Sequence, residues 1–239
     1  MTDFVLVAGA WLGASAWDEV VPRLRAEDHG VHPLSLSGLG EKQADSADQR
    51  THVRDVTEEV DRLGLREVVL VGHSYSGIPV GQAAVRIGDR LKRLVLVDSN
   101  IPEDGESFVS AWPDGRAMVE AAIADHGGCW PPPSAADFAP DGMVGDQGLS
   151  GEQLERLMAD AVPHPGATLT GPAVLERPLE ELPATYVKCL LDGPDPMPAV
   201  ANLLAEAADW RLAELNTGHW PMYSQPAELA EVLLEAAKS

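Results

Sequence analysis

Val68-Val69-Leu70-Val71-Gly72-His73-Ser74-Tyr75-Ser76-Gly77 is the stretch on which the fold turns. Four aliphatic residues run into a serine set between small neighbours, and a helix-compatible segment follows from Ile78 to about Arg86. A short unbroken apolar run reads as a strand buried on both faces of a parallel sheet. Strand, sharp turn and helix then put Ser74 at the apex of a strained turn, which needs small residues two positions either side. Gly72 fills one of those positions and Ser76 the other, with Gly77 next. The helix behind Ser74 aims its positive N-terminal end at charge developing there.

The same rhythm extends in both directions. Upstream, Phe4–Ala8 and Val31–Ser35 read as strands, with a helix from about Ala16 to Glu27 between them, stopped by Gly30. Thr51 reads as the N-cap of a helix to Leu63, with Val53, Val56 and Val60 at helical spacing. Downstream, Leu94–Val97 is a fourth strand and Thr185–Leu191 a fifth. A helix follows from about Pro198 to Ala208, then a sixth strand, Trp210–Leu215, and a closing helix, Pro226–Lys238. Strands alternating with helices predict a doubly wound, mainly parallel α/β sheet of six strands. If the second and third strands flank the first, a crevice opens at their carboxyl ends.

From Ile101 to about Leu182 the rhythm breaks. Pro, Gly and Trp cluster, Trp130-Pro131-Pro132-Pro133 forbids regular helix, and no strand is expected. Short helices are expected at Gly115–Asp125 and Gly151–Ala161. The expected organisation is therefore a core of residues 1–100 and 183–239 with an inserted helical cap, 101–182.

At 239 residues the chain can bury a sizeable core, and its net charge of −21 disfavours nucleic acid and anionic membrane surfaces as partners. Residues 4–11 are apolar but Asp3 precedes them without a basic segment, so they read as the first strand and its loop rather than a signal peptide. No apolar run approaches a membrane span. Two cysteines in separate segments, Cys129 and Cys189, fit a reduced, cytoplasmic setting. No phosphate loop or dinucleotide fingerprint is present, and His29-x-x-His32 is a poor metal pair, so no metal and no cofactor is expected. The expected partner is a small-molecule substrate, and a homodimer stays open.

A serine hydroxyl needs an adjacent base, and that base an orienting acid. His219, in Thr217-Gly218-His219-Trp220-Pro221, is the expected base. Asp192, after the fifth strand, is the expected acid, with Asp195 and then Asp98 as alternatives. Backbone N–H groups of Ala10 and Tyr75 are expected to hold an oxyanion. Trp11, Trp112, Trp130 and Trp220 are the expected substrate-facing aromatics. His29, His32, His52, His126 and His164 read as surface or loop residues, and His73 is expected to point away from the pocket.

The motifs together resemble the α/β-hydrolase superfamily, and within it the small esterases related to plant methylesterases and hydroxynitrile lyases. The resemblance lies in Val7-Ala8-Gly9-Ala10-Trp11-Leu12-Gly13-Ala14, Leu36-Ser37-Gly38-Leu39-Gly40-Glu41, Val71-Gly72-His73-Ser74-Tyr75-Ser76-Gly77, Ile101-Pro102-Glu103-Asp104-Gly105-Glu106-Ser107 and Thr217-Gly218-His219-Trp220-Pro221-Met222. It implies an α/β-hydrolase fold, a Ser-Asp-His triad in that chain order, and serine hydrolysis of a small, rather apolar carboxylic ester, thioester or lactone. A non-hydrolytic lyase or biosynthetic reaction in the same pocket, or a ligand-binding module with little turnover, are the alternatives. Trp220 stands where hydroxynitrile lyases of the group carry Lys, which counts against cyanide chemistry. The chain departs from the group at Ala8 and Leu12, where the group has His, at Ser15, where it has Trp, and at Ser76, where it has Gly.

Overall fold

The computed structural model describes residues 2–44 and 46–238, with the backbone alone described at 192. In chain order the elements are β1 (Asp3–Val7), α1 (Val21–Arg25), β2 (Gly30–Leu34), α2 (Gln49–Arg62), β3 (Val68–His73), α3 (Gly77–Ile87) and β4 (Leu91–Val97). They continue with α4 (Pro113–Asp125), β5 (Cys129–Trp130), α5 (Gly151–Asp160), β6 (His164–Pro165) and α6 (Gly166–Thr170). The chain closes with β7 (Ala184–Cys189), α7 (Pro198–Glu206), β8 (Trp210–Leu215), α8 (Pro221–Ser224) and α9 (Pro226–Ala236).

Six strands form one sheet in the order β2-β1-β3-β4-β7-β8, and every pairing in it is parallel. The winding reverses between β1 and β3, because β2 lies on the far side of β1. Val7 and Gly72 are in register at the carboxyl ends of these two strands. The loop after β1 and the turn after β3 therefore face each other across the crevice that such a reversal opens.

Side chains along a strand alternate between faces, and the core divides accordingly. Val5, Val7, Val68 and Leu70 pack with Val53, Val56 and Val60 of α2 and Val80 and Ala84 of α3. Phe4, Leu6, Val69 and Val71 pack on the other face with Trp17, Leu24 and Leu229 and Leu233 of α9. All eight strand residues are fully buried, which is why these strands read as bare aliphatic runs.

Three local expectations change. The first helix divides into a 3₁₀ turn, Ala14–Trp17, and the short α1, with Pro22 in its first turn; proline suits a helix start because the N–H it lacks has no partner there. The cap of α2 is Asp48, and Thr51 is its third helical residue in a capping box, donating its N–H to Asp48 at 2.8 Å. Between β4 and β7, where no strand was expected, β5 and β6 pair antiparallel, with Trp130 opposite His164. Among the described residues no helix is long and apolar enough to cross a membrane.

Gly77 opens α3 against the loop after β4, where a Cβ would collide with the Asn100 carbonyl oxygen and reach Ser99 Oγ at 2.5 Å. Gly77→Ala is expected to destabilise the fold by about 2 kcal/mol, read as a lower urea midpoint at unchanged slope.

Candidate active site

Ser74 sits between β3 and α3 with φ 54°. A non-glycine residue in the left-handed region is strained and persists only where its surroundings impose it. Here the loop after β4 braces the turn, Asn100 donating its N–H to Ser74 O at 3.1 Å. The Ser76 hydroxyl accepts the His73 N–H at 2.8 Å and lies 2.8 Å from Val7 O and 2.9 Å from His73 O. This hydroxyl ties β1 to the turn, a bond that glycine at the position cannot make.

His219 stands over Ser74. Its Nε2 is 2.8 Å from Ser74 Oγ and its Nδ1 2.7 Å from Asp98 Oδ2. A ring nitrogen facing a carboxylate carries the proton, so Nδ1–H donates to Asp98 and Nε2 is free to accept from Ser74. The sequence reading expected Asp192 beside this imidazole. Among the described residues the carboxylate placed there is Asp98, the third of the three candidates; the side chain of Asp192 lies outside the described residues. Topology accounts for the position of Asp98: β4 is the immediate neighbour of β3, so the loop after it reaches the turn that carries Ser74. Asp98 directly follows β4, at φ 41°. Its other oxygen takes Lys188 Nζ at 3.1 Å and Cys189 N–H at 3.2 Å. Asp195 is exposed and lines a cavity of about 440 Å³ that also touches His219 and Lys188.

The loop after β1 packs directly on the turn. A Cβ on Gly9 would approach Ser74 Cβ to 2.6 Å. Gly9 donates its N–H to His73 Nδ1 at 3.2 Å, and His73 Nε2–H donates to His219 O at 2.6 Å. His73 thus lies beneath the site, linking the loop to the base. Burial, reinforced by the neighbouring His219, pushes the His73 imidazole down to about 3, so it is neutral. Among the described residues no acceptor is paired with Ala10 N–H. Tyr75 is in the first turn of a short helix, where N–H groups have no intrahelical partner. Ala8 and Leu12 have joined the apolar layer with Phe4, Leu6 and Trp220. Ser15, the third departure on this loop, donates to Asp160 of α5 at 3.1 Å.

Two histidines expected at the surface are fully buried, His52 and His164. His52 Nε2–H donates to Ser37 O at 2.9 Å, its Nδ1 is 2.9 Å from the Tyr75 hydroxyl, and burial holds it down to about 4. His164 Nδ1 accepts the Trp11 N–H at 3.3 Å. Gln147 accepts the His219 N–H at 2.6 Å. Neither Gln147 nor His164 sits in a sequence pattern that separates it from ordinary loop residues.

A cavity of about 260 Å³ opens onto Ser74 and His219. Trp11, Trp112, Trp130 and Trp220, the four expected aromatics, all line it, joined by Phe108, Val144 and Asn100. Trp11 and Trp130 are in contact, ring centroids 4.3 Å apart. The chamber is apolar with a polar floor, the usual form of a small-ligand site. A larger cavity of about 660 Å³, between residues 101–104, residues 175–180 and α7, contains none of these groups.

The description "Alpha/beta hydrolase family" matches residues 4–232. A carbendazim-hydrolysing esterase from Nocardioides sp. (strain SG-4G) is 29% identical over 259 residues, covering 98% of each chain. A methyl jasmonate esterase from Vitis vinifera is 23% identical, covering 99% of this chain and 97% of the relative. Among solved structures, an extracellular alpha/beta-hydrolase from a Paenibacillus species, described as sharing homology with tobacco salicylic acid binding protein 2, superposes with a TM-score of 0.85 at 22% identity, covering all of both chains.

Ser76→Ala leaves the buried His73 N–H without its acceptor, and an unsatisfied buried donor costs about 1–3 kcal/mol. The variant is expected to melt several degrees lower in a thermal denaturation scan while still folding cooperatively.

Proposed function

This chain belongs to the alpha/beta hydrolase family, its full-length relatives include esterases, and on that premise we propose that it is a serine esterase working through an acyl-enzyme. The observation that carries this reading is the line of contacts from Ser74 Oγ to His219 Nε2 at 2.8 Å and from His219 Nδ1 to Asp98 at 2.7 Å. Ser74 attacks the substrate carbonyl carbon as His219 Nε2 takes its proton. Asp98 keeps Nδ1–H oriented and stabilises the imidazolium. The carbonyl oxygen, now negative, accepts from the Ala10 and Tyr75 N–H groups at the positive end of the helix behind Ser74. As the tetrahedral centre collapses, the alcohol leaves with the proton from His219. A water deprotonated at Nε2 then attacks the acyl group, and Ser74 recovers its proton.

Substrate choice follows from the chamber. Its aromatic walls and volume of about 260 Å³ favour a small, rather apolar carboxylic ester, thioester or lactone. Trp112 and Trp130 come from residues 101–182, which act as the cap in this reading. Two cysteines in separate segments, Cys129 and Cys189, support a reducing, cytoplasmic setting.

Wild-type protein is expected to hydrolyse short-chain p-nitrophenyl esters and to be labelled by a fluorophosphonate. Ser74→Ala should lose labelling and about 10³-fold or more of kcat. Turnover that survives in Ser74→Ala, or wild-type protein that neither turns over nor labels, would sink the reading. Asp98→Asn should keep the fold and lower kcat roughly 10³-fold, because the imidazole loses its orienting charge.

A further inference from the structure

We propose that His164, carried by the segment between β4 and β7, is a positioning residue that fixes the oxyanion loop by accepting the Trp11 N–H. The catalytic consequence rests on the serine-esterase reading above; the clamp itself rests on geometry.

Trp11 follows Ala10, the loop's proposed oxyanion donor, and holds φ 67°. So bulky a side chain does not take this conformation unaided. Three bonds hold it, all from the inserted segment. Its N–H goes to His164 Nδ1 at 3.3 Å, its carbonyl accepts Val162 N–H at 2.9 Å, and its indole N–H goes to Trp130 O at 3.2 Å. Trp130 and His164 face each other across β5 and β6, so these partners form one unit gripping one residue.

Only one tautomer of His164 serves. The Thr168 hydroxyl spends its proton on Pro165 O at 2.7 Å, so at 2.8 Å it must accept from His164 Nε2–H. Nδ1 is then bare and faces the Trp11 N–H. The ring is fully buried, which favours the neutral form this arrangement requires. It also packs edge-on against Tyr75 at 4.6 Å between centroids. One imidazole therefore touches both halves of the oxyanion site: the loop bearing Ala10, and the residue whose N–H is the second donor. At Ala8 the loop has only a methyl group in the apolar layer. Polar support of the loop comes instead from His73 at Gly9 and, at Trp11, from His164 together with Val162 and Trp130.

The test compares His164→Leu, which keeps bulk without an acceptor, with His164→Asn, whose Oδ1 can stand near the position of Nδ1. On p-nitrophenyl acetate, His164→Leu is expected to lose about 10- to 100-fold in kcat with KM within about threefold, since one oxyanion donor is misplaced rather than removed. His164→Asn should return kcat to within about threefold of wild type, because it restores the acceptor. In parallel, exchange of the Trp11 amide hydrogen, followed by NMR, should quicken about tenfold or more in His164→Leu and not in His164→Asn. Thr168→Val provides the second route. Without its acceptor the Nε2–H tautomer is no longer enforced, and kcat and Trp11 protection should fall together. This variant decides the matter if His164→Leu does not fold. Unchanged kcat and unchanged Trp11 exchange in His164→Leu overturn the proposal, as does a loss that Asn does not rescue. A wild type without Ser74-dependent turnover defeats the esterase reading instead, and Trp11 exchange then decides the clamp alone.

Discussion

The loop after β1 and the turn after β3 pack closely against each other, Gly9 lying directly on Ser74 and His73. This contact exists because the sheet reverses its winding between these two strands. Most of the site is an arrangement for keeping it in place. Ser76 ties the turn to the end of β1. His73 ties the loop to the backbone of His219. Asn100 ties the turn to the strand end that carries Asp98. Three of the five described non-glycine residues with positive φ are Trp11, Ser74 and Asp98. Strain is thus concentrated where backbone direction decides which groups meet.

The electrostatics of the site run against those of the whole chain. The protein carries a net charge of −21, yet three of the polar groups packed around the site are buried imidazoles. His52, His73 and His164 are fully buried, and desolvation lowers all three below the usual histidine range. Neutral imidazole offers one donor and one acceptor at fixed angles. That suits backbone N–H and C=O groups which cannot reach each other. The Asp98 carboxylate at the centre is matched by the equally covered Lys188 and by a backbone N–H, as a buried carboxylate requires.

Legibility differed from part to part for physical reasons. Strands buried on both faces announce themselves as aliphatic runs, so β1, β3, β4 and the alternation with helices could be read directly. Ser74 and His219 lie in short segments whose neighbours are set by the turn itself, and the structure brings the two together. The acid was different. Asp98 directly follows β4, and what brings it to His219 is strand order and the reach of its loop, which local pattern does not state. His164 was harder still, because a histidine after a short helix carries no mark of burial. Only the pairing of β5 with β6 draws it inside. Gln147 is a similar case.

By itself the sequence determined the alternating α/β architecture, the strained serine turn and the aromatic character of the chamber, because local pattern and residue type suffice for these. Tertiary structure alone decided that Asp98 stands against His219, that Ser76 bridges two strands, and that His164 reaches across from β6 to Trp11. Each of these is a contact between residues 69 to 153 positions apart. Such contacts are set by how the sheet is wound and how the segment between β4 and β7 folds back onto it, and no short window of sequence carries that information.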